Sequence, residues 1–164
     1  MALHPQHWLK AVPGGLYCEP GGFFIDPSRP VDRAIVTHGH GDHARSGHGK
    51  VAATAETLAI MGVRYGEGFA RETPALRYGE RLTMGDVTIM LEPAGHILGS
   101  AQVVLEHGGC RAVVSGGYKR RIDPWLLWRA GPATKGDARY WAAPADDLDA
   151  ALTFRLFPDG SGEG

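Results

Sequence analysis

Six consecutive residues, His38-Gly39-His40-Gly41-Asp42-His43, carry three imidazoles and one carboxylate. Imidazole nitrogen is a good ligand for zinc, and also for manganese, iron or nickel. His38 and His40, two apart on a turn kept open by Gly39 and Gly41, can converge on one ion. Asp42 and His43 point elsewhere on that turn and can serve a second ion a few ångströms away, as two-metal hydrolases require. The glycines let the backbone bend tightly enough to bring four side chains round one centre. A further nitrogen comes from His96, in the loop Pro93-Ala94-Gly95-His96-Ile97-Leu98-Gly99-Ser100. Three His ligands leave a coordination position for water, which is the open arrangement of catalytic sites. The pattern is that of a metal-dependent hydrolase, with Asp42 and His43 as catalytic candidates as well as ligands.

The elements that must position these groups are short. Ala34-Ile35-Val36-Thr37 is a continuous apolar run ending on the ligand loop, and reads as a strand buried on both faces. Gly14–Cys18 and Gly22–Asp26 read as a hairpin about Glu19-Pro20-Gly21, followed by a loop from Asp26 to Pro30. Val51–Ala53 reads as a strand. Thr54 caps a helix over 56–61 that ends near Gly62. Residues 65–74 read as loop. Ala75–Tyr78 and Arg81–Met84 flank Gly79-Glu80, and Val87–Leu91 follows a Gly85-Asp86 turn. Ala101–Glu106 and Arg111–Ser115 form a hairpin across His107-Gly108-Gly109. Residues 1–12 read as a polar lead-in in which Trp8 and Leu9 make packing contacts. His4, His7 and His107 read as tail and turn residues. His48, in Ser46-Gly47-His48-Gly49, lies close in sequence and is left outside the ligand set.

At 164 residues, 43% hydrophobic and 21% charged, the chain suits one globular domain. Its 24 glycines and 11 prolines punctuate short apolar runs, the composition of a strand-and-loop α/β protein. A net charge of −1 excludes a globally basic nucleic-acid binder and leaves only a local patch. Cys18 and Cys110 make neither a disulfide framework nor a Cys-type zinc site and read as buried thiols. No apolar run nears about 18 residues, and no signal peptide is visible, so a cytoplasmic location is the default expectation.

Thr37–Gly49 (THGHGDHARSGHG), Pro93–Gln102 (PAGHILGSAQ) and Val114–Arg121 (VSGGYKRR) together resemble the metallo-β-lactamase superfamily. Within it they are similar to the ligase-associated DNA exonucleases, in the nuclease branch that includes messenger-RNA 3′-end processing factors. Gly15-Leu16-Tyr17-Cys18 and Asp26-Pro27 with Pro30–Ala34 fit the same family. The resemblance covers roughly residues 13 to 123 and implies the N-terminal portion of an αββα sandwich, an α/β (α+β) fold. Residues 124–164, with a helix-like Trp125–Ala130 and a Gly-rich end, are unlike the family's continuation and read as a divergent, partly disordered tail. The resemblance further implies zinc as cofactor, with His38, His40 and His96 on the first ion and Asp42 and His43 on the second. The activity implied is hydrolysis of phosphodiester bonds at DNA or RNA ends, DNA being favoured. DNA ligase-associated repair proteins are the implied partners. Lys119 and Arg120, with Arg121, form the densest basic run and would contact substrate phosphate; Arg45 and Lys50 would extend that patch.

Two departures qualify this. Gly117 stands where the family carries the Asp that bridges both metals, and glycine has no side-chain donor. No His follows His107, so the family's later ligand is also missing. One zinc is therefore expected to bind well and the second weakly, with nuclease activity weak or nil. A half sandwich would leave a sheet face and edge uncovered and favour self-association. Two other readings compete: a small-molecule hydrolase of the same superfamily, and a non-catalytic zinc-binding fragment.

Overall fold

The apolar run that ends on the ligand loop sits inside a six-stranded sheet. The structure is a computed structural model that describes residues 4–116 and the backbone of 157–158. After a 3-10 turn at Pro5–His7 come β1 (Leu9–Val12), β2 (Gly15–Cys18), β3 (Phe23–Ile25) and β4 (Arg33–Ile35). Then follow β5 (His48–Ala52), helix α1 (Ala55–Tyr65) and β6 (Ala70–Glu72). These strands form a sheet in sequence order, antiparallel from β1 to β3 and parallel from β3 to β6. A second sheet holds β7 (Arg81–Met84), β8 (Val87–Pro93), β9 (Ala101–His107) and β10 (Cys110–Ser115). All its pairs are antiparallel, and the short β11 (Phe157–Pro158) lies on the β10 edge.

Burial alternates along the strands as their period of two requires. Phe23, Ile25 and Ile35 of the first sheet pack against Val87, Ile89, Leu91, Val103 and Leu105 of the second, forming the main core. The opposite face of the first sheet, through Ala34, Val36, Val51 and Ala53, packs on Met61 and Leu58 of α1. Consecutive residues of β4 thus enter different cores, which is why the run is apolar without alternation. The result is a mixed α/β architecture layered helix, sheet, sheet. Among the described residues no helix is long and apolar enough to cross a membrane.

Several sequence expectations are corrected. The polar lead-in is an edge strand: Leu9 pairs with Cys18 and Val12 with Gly15, while Trp8 and Leu9 are buried. The helix runs through Gly62 to Tyr65 and stops at Gly66, whose φ of 84° is left-handed and whose N–H bonds to Gly62 O at 2.9 Å. The supposed loop 65–74 contains β6, paired parallel to β5. Thr54 does cap α1, accepting from Thr57 N at 3.2 Å. Cys18 and Cys110 are free buried thiols, and burial pushes Cys18 up to about 11. His48 is buried in β5, at the opposite strand end from the ligand loop, where its Nδ1 accepts from Val31 N at 3.2 Å. Residues 124–156, with the helix-like Trp125–Ala130, and the Gly-rich end 159–164 lie outside the described residues.

Candidate metal centre

Parallel pairing sets the site. Ile25 of β3 lies beside Ile35 of β4, so Asp26 and Thr37 emerge together at the carboxyl ends of adjacent strands. Asp26 N bonds to Ile35 O at 3.0 Å. Its φ of 45° makes it the one non-glycine residue with positive φ among those described, a conformation Asp tolerates better than most. The second sheet brings the His96 loop to the same place: Ala101 N donates to Thr37 O at 2.7 Å. Ser100 holds that loop closed, its hydroxyl accepting from His96 N at 3.0 Å and Ile97 N at 3.2 Å. Gly99 O accepts from Thr54 and Thr57 hydroxyls, tying the loop to the start of α1. The end of α1 grips the other loop, with Ile60 against Gly39 and Tyr65 Oη on Ala44 O at 2.7 Å.

His38, His40 and His96 are brought together. His40 Nδ1 lies 3.1 Å from His38 Nε2 and 3.2 Å from His96 Nε2, and the three donor atoms form one candidate ligand group. Tetrahedral zinc with metal–nitrogen bonds of about 2.0–2.1 Å separates its ligand atoms by about 3.3 Å, so the spacing fits such an ion.

The hydrogen bonds also select the tautomer. Thr37 Oγ1 lies 2.6 Å from Asp26 Oδ2 and 2.9 Å from His38 Nδ1. A carboxylate only accepts, so the single hydroxyl proton goes to Asp26 and His38 Nδ1–H donates to Thr37. His38 Nε2 therefore turns a lone pair to the centre. Burial lowers the His38 pKa to about 4, with repulsion from His43 adding and Asp26 opposing, so the ring is neutral near pH 7.

Asp26 orients His43 likewise, accepting from Nδ1 at 2.8 Å and leaving Nε2 facing Asp42 at 3.4 Å. Burial works against protonation of His43, but the Asp26 hydrogen bond and charge outweigh it and raise the pKa. Asp42 is exposed; its slight burial opposes ionisation, yet its own backbone N–H and the nearby imidazoles hold its pKa below the usual value. Asp42 and His43 Nε2 thus face each other beside the three-His group. Asp26, His38 and His43 also form a ligand-like cluster, but the Asp26 oxygens already take Thr37 N at 2.8 Å, the Thr37 hydroxyl and His43. That cluster is a hydrogen-bond network which aims ligands.

The end of β10 closes on this network. A Cβ on Gly116 would overlap Thr37 Oγ1 and lie 2.8 Å from Asp26 Oδ2 and 3.0 Å from His43 Nδ1. Gly117, Lys119 and Arg120 lie outside the described residues. Of the patch extensions, Arg45 is exposed, whereas Lys50 sits in β5 with its Nζ 3.0 Å from Glu72. Lys50 is thus engaged on the β6 side. From sequence alone Asp26 reads as a loop residue with no role of its own. The available signal was a carboxylate directly after the apolar run Phe23-Phe24-Ile25.

Asp26→Asn puts an amide donor either against His43 Nδ1–H and the Thr37 hydroxyl, which share Oδ2, or against Thr37 N–H at Oδ1. Zinc affinity is expected to fall by about tenfold to a hundredfold, as for other groups that orient a ligand. Chelator competition measures this, with far-UV circular dichroism unchanged; an unaltered zinc affinity would refute the orienting role.

No family model matches the chain. It is 37% identical over 101 residues to a probable DNA ligase of Opitutus terrae, covering 62% of this chain and 10% of the relative. It is 32% identical over 123 residues to a ribonuclease of Thermus thermophilus, covering 60% of this chain and 28% of the relative. The chain therefore spans a tenth and just over a quarter of these relatives. Among solved structures, zinc-bound PqqB from Methylobacterium extorquens aligns with a TM-score of 0.41 at 19% identity, over 58% of this chain and 41% of that one.

Proposed function

We propose that the chain carries the metal-centre portion of a metallo-β-lactamase-type hydrolase acting on phosphodiester bonds at nucleic-acid ends. The observation that carries this is the convergence of His38 Nε2, His40 Nδ1 and His96 Nε2 at ligand spacing, with Asp42 and His43 beside them. The two curated relatives, named as a DNA ligase and a ribonuclease, support a nucleic-acid substrate. Residues 1–123 form the hydrolase portion of this reading, and 124–164 a tail. Zinc is the ion proposed, held by His38, His40 and His96; Asp42 and His43 offer a weaker second position. A bound divalent ion supplies Lewis acidity, bringing a water toward deprotonation at neutral pH and offsetting charge on phosphate oxygens. The chain's own groups provide the rest. Asp26 and Thr37 hold the imidazoles in the ligating tautomer, Asp42 stays ionised, and Lys119 and Arg120 contact substrate phosphate.

Because Gly117 offers no carboxylate, this chain is expected to bind one zinc tightly and cut weakly or not at all. The test is metal content by elemental analysis together with digestion of end-labelled DNA, on the wild type and on Gly117→Asp. The expected result is one tightly held ion in the wild type, with higher metal content and faster digestion in the variant. Two tightly held ions in the wild type would refute the impairment. Failure of the wild type to hold any ion would refute the metal centre.

A further inference from the structure

Arg64 lies in the last turn of α1, against the ligand loop. Its Nη1 donates to Gly39 O at 2.6 Å. The same nitrogen would lie 3.8 Å from a Cβ on Gly41. The guanidinium therefore stands at both glycines that flank His40. Ile60, one turn earlier, is seated directly on Gly39 and fixes the helix there. Arg64 is exposed, as are His40 and Asp42. Among the described residues, no carboxylate pairs with it: Asp42 turns to His43, and the ion pairs of the other arginines engage Asp32, Glu80 and Glu106.

Bracing a loop carbonyl needs one donor, and a guanidinium has five in a planar fork. That fork matches the paired oxygens of a phosphate. A favourable charge at a helix C-terminus explains a Lys or an Arg equally well. It does not explain a cation placed on the loop that carries the ligands.

We propose that Arg64 binds a backbone phosphate of a nucleic-acid strand lying across the His40–Asp42 edge of the ligand loop. This rests on the nucleic-acid reading above and adds to it a contact on α1, remote in sequence from Lys119 and Arg120.

The test uses the full zinc-loaded chain and a fluorescein-labelled 20-base-pair DNA duplex, with binding followed by anisotropy from about 50 to 200 mM salt. Arg64→Gln is expected to weaken binding about tenfold, the size of one charged hydrogen bond. It is also expected to reduce the slope of log affinity against log salt by about one. Arg64→Lys is expected to keep the slope, because it keeps the charge. Zinc affinity, from chelator competition, is expected to stay within about threefold in both variants, the loop remaining seated on Ile60. If Arg64→Gln does not fold, Arg64→Met, which keeps the aliphatic stem, serves the same measurement. An unchanged salt slope, with or without a loss of zinc affinity, would overturn the proposal and leave Arg64 as a loop brace. Wild-type chain showing no salt-dependent DNA binding would instead overturn the nucleic-acid reading itself.

Discussion

Replacing His96 with alanine is expected to lower zinc affinity at least about a hundredfold while leaving the fold intact. The floor follows from the loss of a direct ligand, which should exceed the tenfold to hundredfold cost of removing a group that only orients one. The fold should survive because the His96 loop is held by its backbone. Ser100 accepts from His96 N and Ile97 N, Ala94 N bonds to Ser100 O, and Gly99 O takes two hydroxyls from the start of α1. None of these bonds uses the imidazole. Removal of His38 would be less informative, since His38 is buried and its Nδ1 belongs to the Thr37–Asp26 network. Chelator competition gives the affinity and thermal melting of the zinc-free protein gives the control. Wild-type zinc affinity in His96→Ala would mean that the three-His group is not the binding site. A large drop in the melting point without zinc would mean that the imidazole is structural.

Gly116→Ala is expected to damage the same centre from the opposite side. The added methyl would overlap the Thr37 hydroxyl and press on Asp26 Oδ2 and His43 Nδ1. None of the three can retreat cheaply. Thr37 is fixed through its carbonyl to Ala101 N, and Asp26 through its N–H to Ile35 O. His43 packs on His38 with ring centroids 4.2 Å apart. Overpacking of this kind costs about 1–3 kcal/mol of stability. Because the displaced groups set the imidazole tautomers, zinc affinity should fall about tenfold or more as well. The measurements are thermal melting with and without zinc, and proton NMR of the His43 Nδ1–H. In the variant that resonance should shift or broaden, since its hydrogen bond to Asp26 lengthens. Wild-type stability and zinc affinity together would show that β10 does not close on the network.

The elements that were legible from residue order share a strong local signal. Thr54 caps α1 because its side chain reaches an N–H three residues away. The β9–β10 hairpin has Gly108 and Gly109, both at positive φ, where only glycine is free to turn. The strand before the ligand loop was legible because both of its faces are buried. The elements that were missed are short and half-exposed, with no clear alternation of their own. In β1, Lys10 and Ala11 are exposed, and only its pairing to β2 makes it a strand. In β6, Arg71 and Glu72 are exposed, and the parallel neighbour β5 decides its state. The helix stop was placed at Gly62 because glycine costs about 1 kcal/mol inside a helix. That cost is local, and Gly66 supplies the left-handed turn that ends α1.

By itself the order of residues pointed to a kind of chemistry: three imidazoles and a carboxylate on a glycine-rich turn make a ligand-like pattern, and their types and spacing are properties of the chain. It also marked Gly117 as a position without a donor. What tertiary structure alone decided is how those groups are aimed. Asp26, Gly116 and Arg64 reach Thr37 and the ligand loop across separations of up to 79 positions (Gly116 to Thr37). They do so through parallel strand pairing, packing of the two sheets and the seat of α1. Hydrogen-bond direction, and with it the imidazole tautomer, depends on angles and distances of tenths of an ångström between such remote residues. No local pattern encodes them.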